Sequence, residues 1–242
     1  MFSKLKEKLM GDKRPVLDMD RESALEQLMK YDTQFLMDDS GSMAGSLWIE
    51  ARDALVGIAS VALKHDQDGI DIHFLNAANQ GQSIHREADV TRLFELVKPW
   101  GGTPTGERLE QVLTAYIVRL EQAKAQNLSP VQAGIKPLNL IVITDGAPSD
   151  DPESVIVAAA RRLDVGQFPL AQVGVQFIQI GNDEGARKAL KRMDNKLSEK
   201  NGVRDIVDTR PFDGDKLTPE VLIAMLLGGI NRRVDKIKKT ER

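Results

Sequence analysis

Short apolar and β-branched runs alternate along this chain with longer stretches whose apolar residues recur every three or four positions. That alternation restricts the fold more than any other property of the sequence. Strand-type runs fall at Thr33–Met37, Ile70–Leu75, Leu138–Ile143 and Gln172–Ile180, with a short one at Asp205–Val207 and Ser83–His85 returning as an antiparallel edge. Helical spacing covers Arg21–Tyr31, Ser46–Lys64, Val90–Val97, Glu107–Ala125, Val155–Leu163 and Glu184–Leu197. Asp151-Pro152-Glu153 and Thr218-Pro219-Glu220 read as helix starts, because proline fits the first turn and acidic groups complement the amino-terminal dipole. The second of these opens a last helix, Pro219 to Lys236. The pattern predicts an α/β fold: a doubly wound, mostly parallel sheet of about six strands, covered by helices on both faces.

Composition is consistent with one domain over residues 20–242, preceded by a tail at 1–19. At 242 residues and 41% hydrophobic content, such a chain buries roughly 70 to 75% of the surface exposed when unfolded. The absence of cysteine excludes disulfides, thiolate nucleophiles and cysteine-ligated zinc, and it favours a cytoplasmic location. Met1 to Arg14 has no signal-peptide core, and no apolar run is long enough to cross a membrane. Phe2, Leu5 and Leu9 fall at helical spacing among lysines. That fits a terminal tail or a piece packed on its own domain, with docking to a membrane or partner as the other reading. Ala123 to Pro137 reads as a surface excursion. A net charge of −3 argues against nucleic acid as the partner; the basic cluster Arg232, Arg233, Lys236, Lys238 and Lys239 reads as a solvated helix end.

Chemistry concentrates in three segments. Asp38-x-Ser40-x-Ser42 follows directly on Phe35-Leu36-Met37 and offers oxygens at alternating positions of a turn that leaves a strand. One carboxylate and two hydroxyls suit a small hard cation such as Mg²⁺, which takes about six oxygens in octahedral geometry. Gly101-Gly102-Thr103-Pro104-Thr105-Gly106 presents a threonine hydroxyl ahead of a helix, and Asn139 to Gly146 is a strand ending in Thr144-Asp145-Gly146. Loops of an open parallel sheet converge at the carboxyl ends of its strands, so the three segments can meet. The alternative is that Ser40 or Ser42 caps the helix starting near Ser46 and Asp145-Gly146 is an ordinary turn.

Together these segments resemble the metal-ion-dependent adhesion site of the von Willebrand factor A (VWA) domains: D-x-S-x-S, then a threonine after a glycine-rich turn, then aspartate followed by glycine. The resemblance covers roughly residues 30 to 235 and implies a Rossmann-like fold. It also implies that Ser40, Ser42 and Thr103 coordinate Mg²⁺ directly, with Mn²⁺ or Ca²⁺ as alternatives, and that Asp38 and Asp145 bond it directly or through water. Asp39, Asp150 and Asp151 lie outside the family pattern and receive no ligand role. The implied function is binding of a partner protein, whose exposed Asp or Glu completes the coordination. Met43, Ala44, Trp100, Thr105 and the Ala147-Pro148 stretch are the expected rim. For Trp100 two readings stay open, an exposed hot spot or a buried anchor of its loop.

Enzymatic readings find little support. His65, His73 and His85 are the only histidines, and none falls at the strand ends that form the site. Asp38-Asp39 lacks the second aspartate, two positions on, that an aspartyl-phosphate mechanism needs, because Ser40 stands there. The glycine turn lacks the P-loop lysine and the dinucleotide spacing. The expectation is a binding domain without catalysis. The alternatives are a metal-dependent hydrolase and a regulatory subunit of a larger ATP-driven complex.

Overall fold

The computed structural model describes residues 30–62, 69–78, 81–211, 214, 216–223 and 225. The terminal tail with Phe2, Leu5 and Leu9, nearly all of the leading helix at 21–31, His65, the basic cluster and the last helix beyond residue 225 lie outside the described residues.

The elements are β1 (Asp32–Met37), α1 (Ser46–Ala62), β2 (Ile70–Phe74), β3 (Gly81–Ile84), α2 (Glu87–Leu96), α3 (Thr105–Ala125), β4 (Leu138–Thr144), α4 (Pro152–Val165), β5 (Val173–Gln179), α5 (Glu184–Asn201) and β6 (Val207–Arg210). Residues 219–223 are again helical. The six strands form one sheet in the order β3-β2-β1-β4-β5-β6. Every pairing is parallel except that of the edge strand β3 with β2. From β1 the chain winds outward to β2 and β3, then returns to the other side of β1 to lay down β4, β5 and β6. The carboxyl ends of β1 and β4 therefore flank the topological switch point, where loops diverge and leave a crevice.

Alternate side chains of the strands feed two separate cores. Phe35, Met37, Ile72, Phe74, Ile141 and Ile143 pack with Ala51, Leu55 and Ile58 of α1 and Val90 and Phe94 of α2. Leu36, Leu140, Val142, Val175 and Phe177 pack on the opposite face with Leu109, Leu113 and Ile117 of α3, Ile156 and Leu163 of α4 and Leu190 of α5. Trp48, Phe74 and Phe94 form an aromatic triad in the first core, with ring centroids 4.5 to 5.8 Å apart. β4 and β5 are buried along their whole length, as inner strands covered on both faces must be. The predicted doubly wound sheet with an antiparallel edge strand is the fold observed.

Differences from expectation are local and have causes. β6 begins at Val207, where the expected run ended, because Asp205 Oδ1 accepts the Val207 N–H at 3.2 Å and turns the chain before the strand starts. β4 carries one buried amide among its apolar residues: Asn139 Oδ1 accepts Gln176 Nε2 of the neighbouring β5 at 3.1 Å. The 126–137 excursion leads into the amino end of β4, away from the switch point.

Candidate metal centre

β1 delivers Asp38 to the switch point. Its main-chain N–H still pairs with Ile143 O of β4 at 2.9 Å, so the residue leaves the sheet with its backbone held. The chain then reverses: the Ser40 N–H donates to Asp38 Oδ1 at 2.8 Å, and Gly41–Met43 makes one tight helical turn in which Met43 N–H donates to Ser40 O at 3.1 Å. Ser40 caps that turn by position yet makes no side-chain capping bond. Its hydroxyl instead lies 3.0 Å from Ser42 Oγ, and Ser42 Oγ donates to Asp145 Oδ1 at 2.8 Å. Thr144, the last residue of β4, donates its hydroxyl to Asp38 Oδ2 at 2.6 Å. Side-chain bonds across the switch point thus join the first and third segments.

Thr103 brings in the second segment. Its side chain is nearly buried, and a Cβ built on Gly146 would lie 3.8 Å from Thr103 Oγ1. Its carbonyl accepts the Thr105 N–H at 2.8 Å and the Ser149 N–H at 2.9 Å, which ties the glycine turn to the loop after β4. All five residues implied as ligands, Asp38, Ser40, Ser42, Thr103 and Asp145, are brought to one end of the sheet.

The separations of 3.0 Å between the serine hydroxyls and 2.8 Å from Ser42 to Asp145 are those of ordinary hydrogen bonds, so the fit of these side chains to a cation rests on charge and donor type. Burial pushes the Asp38 carboxyl above the ordinary carboxylate range, against the hydrogen bonds from Thr144 and Ser40. Burial does the same to Asp145, opposed by the Ser42 bond and reinforced by the Asp38 charge. The groups acting on these two carboxyls are hydroxyls, amides and other carboxylates. No cationic side chain is among those groups, and oxygen donors of this kind are the type that suits a hard cation. Among the described residues there is no cluster of three or more His, Cys, Asp or Glu suited to a metal, so any cation here would rest largely on hydroxyls.

The expected rim divides. Trp100 is 62% exposed, which selects the exposed reading of its side chain. Pro148 is half-buried and Ala44 and Ala147 are exposed. Met43 is fully buried in the first core, because the tight turn after Ser40 directs it inward, and it offers no surface to a partner. Thr105 is likewise enclosed as the first residue of α3, with its hydroxyl turned to Thr103 O at 3.4 Å. Both are corrections to the sequence reading.

Three polar residues shape the site although Asp39 and Asp150 were given no ligand role and Asn76 was not singled out. Asp150 accepts the N–H groups of Gly106 and Glu107, each at 2.8 Å, and so caps α3 from the loop after β4. Asp39 and Asn76 form a further set of bonds beneath the glycine turn. The doubled acid at 38–39 was the only sequence signal for Asp39. Asp151, by contrast, caps its own helix α4 through Ser154 N–H at 3.1 Å, as the Asp-Pro-Glu start implies.

No protein-family model matches the chain, and no curated protein matches it. Solved structures do. The chain is similar to proximal thread matrix protein 1 of the mussel byssus at 16% identity and a TM-score of 0.46, over 84% of this chain and 47% of that one. The pilus adhesin SpaC of Lactobacillus rhamnosus GG matches at 14% identity and 0.44, over 87% and 31%. The vWF domain of the type V pili tip protein Mfa5 of Porphyromonas gingivalis matches at 11% identity and 0.39, over 84% and 94%. The matched region is thus less than half the length of the first two. Among the described residues no helix is long and apolar enough to cross a membrane.

Proposed function

We propose that this domain binds a partner protein through Mg²⁺ held by Ser40, Ser42 and Thr103, with Asp38 and Asp145 bonding the ion directly or through water, in the manner of the VWA domains whose motif it carries. The observation that supports this best is the convergence of Ser40, Ser42 and Asp145 from two loops across the switch point, with the Ser40 side chain turned to Ser42 and making no cap bond.

A bound divalent cation supplies an electrophilic position that an Asp or Glu of the partner can occupy in place of water. The protein's part is to keep that position attractive. Three hydroxyls add no formal charge, so a divalent ion stays electrophilic where water stands between it and Asp38 or Asp145. Two unit charges 4 Å apart interact by about 4 kcal/mol at an effective dielectric near 20, before desolvation. That selects for an acidic residue and leaves specificity to the surroundings, of which the exposed Trp100 indole is the largest apolar element. We place the domain in the cytoplasm, on the absence of cysteine, as a binding module without catalysis.

The test is calorimetric titration of the full chain with Mg²⁺, Mn²⁺ and Ca²⁺, on the wild type, Ser42→Ala and Thr103→Ala. One-site binding of Mg²⁺ that weakens in both variants is expected, with Mn²⁺ or Ca²⁺ as the alternative ion. A wild type that binds none of the three overturns the reading.

A further inference from the structure

Asp39 is a fully enclosed carboxylate to which the metal reading gives no task, and such a group is costly unless its oxygens are bonded. They are. Oδ1 accepts the main-chain N–H of Asn76 at 2.8 Å and its side-chain amide at 3.1 Å, and Oδ2 accepts the Ala77 N–H at 2.9 Å. The carbonyls of the same segment are taken by another residue: Arg108, in the first turn of α3, donates Nε to Phe74 O at 2.6 Å and Nη2 to Ala77 O at 2.9 Å. The turn after β2 is therefore bracketed between a carboxylate and a guanidinium.

From there the bonds run to the glycine turn. The Asn76 amide also donates to Gly102 O at 2.9 Å, the Trp100 N–H donates to Asp39 O at 2.8 Å, and the Gly41 N–H donates to Gly101 O at 3.2 Å. Gly101 has φ of 76°, and a Cβ there would lie 3.0 Å from Asn76 Oδ1, so the amide packs directly against the turn. Thr103, the proposed ligand on this turn, follows two glycines, whose backbone is the freest of any residue and must be held by its neighbours. Neutral hydroxyls bind a cation weakly unless their positions are held in advance.

We propose that Asp39 and Asn76 are positioning residues which, braced by Arg108, fix the Trp100–Thr103 turn against the Asp38–Ser42 turn and so set where the Thr103 hydroxyl stands relative to Ser40 and Ser42. This rests on the metal-binding reading, and it assigns part of the site's affinity to side chains that touch no cation.

Asn76→Ala is the discriminating variant, because it cuts the link to Gly102 while the backbone N–H groups of residues 76 and 77 still satisfy Asp39. In the full chain, Mg²⁺ affinity by calorimetry is expected to fall about tenfold. The melting temperature of the metal-free protein should stay close to wild type, and amide exchange at Gly101, Gly102 and Thr103 should quicken. Asn76→Asp, of equal size but without a donor and set beside Asp39, is expected to lose more. Mg²⁺ affinity within twofold of wild type in either variant overturns the proposal, and so does an affinity loss that merely follows a general loss of melting temperature. Should the wild type bind no Mg²⁺, the metal reading alone fails and exchange decides the clamp. Protection at 101–103 that Asn76→Ala removes upholds the clamp as a device that fixes the turn; equal exchange in both proteins overturns it.

Discussion

Ser42 and Asp145 are the residues on which the metal reading turns, and their metal-free state is electrostatically uncomfortable. Burial raises the Asp145 carboxyl above its ordinary range, with Asp38 adding repulsion. A raised carboxyl holds its proton more tightly folded than unfolded, so this residue lowers stability as pH rises from the ordinary carboxylate value through its folded one, and the penalty persists at neutral pH. Asp145→Asn is therefore expected to raise the melting temperature of the metal-free protein at pH 7 while abolishing stabilisation by Mg²⁺. In the wild type that stabilisation should reach about 2.7 kcal/mol when the ion is at about 100 times its Kd. Melting curves with and without Mg²⁺ check both halves; a variant no more stable than wild type without metal contradicts the electrostatic account. At this scale the sequence was legible where side chains act within a few positions of one another, as Asp38, Ser40 and Ser42 do. It was not legible for Asn76, whose partners at 39 and 102 are distant in the chain, or for Asp150, which caps a helix begun 45 positions earlier.

Among the elements, α1 and the helical residues 219–223 meet more closely than any periodicity could reveal. A Cβ added at Gly57 would lie 2.1 Å from Pro219 Cγ, and the Glu50 carboxylate of α1 accepts the Leu217 N–H at 2.6 Å. The start of the last helix is thus seated on a glycine notch and tied by a side-chain bond, with Leu222 and Ile223 buried against the first core. Gly57→Ala improves the intrinsic helix propensity of α1 but drives a methyl into a rigid proline ring. Overpacking of this kind costs about 1 to 3 kcal/mol, so denaturant unfolding should show net destabilisation, with amide exchange quickened at 217–223 first. Unchanged exchange there would mean that the contact yields without cost. The apolar stripe of α1 was readable from Leu47, Ala51, Ala54, Leu55 and Ile58, because burial imposes the 3.6 period. The partner of the glycine beside that stripe was not, since close approach leaves only an absence of side chain in the sequence.

Over the whole molecule, the doubly wound topology separates stability from binding by sheet end. The strand order places the proposed metal ligands at the carboxyl ends of β1 and β4, while the amino ends are closed by a different set of bonds around Tyr116. The Tyr116 hydroxyl, from α3, donates to Lys136 O at 2.7 Å and accepts Gln172 Nε2 at 2.6 Å, joining the loops that lead into β4 and β5. Burial is the main cause that pushes this phenol up from 10 to about 12. The sign is that of a raised acid: between these values the unfolded chain has lost a proton that the folded one keeps, so stability falls as pH rises through the window. A two-unit gap corresponds to about 2.7 kcal/mol. Tyr116→Phe loses the hydrogen bonds of the hydroxyl and should cost about 1 to 3 kcal/mol at neutral pH, yet show a flatter stability profile between pH 10 and 12 in denaturant titrations. Its Mg²⁺ affinity should equal that of wild type, because the Tyr116 hydroxyl bonds at the end of the sheet opposite the switch point. A Tyr116→Phe protein that binds Mg²⁺ more weakly would show instead that the two ends of the sheet are coupled through β4, and that the site's geometry depends on how the strand is held at its start.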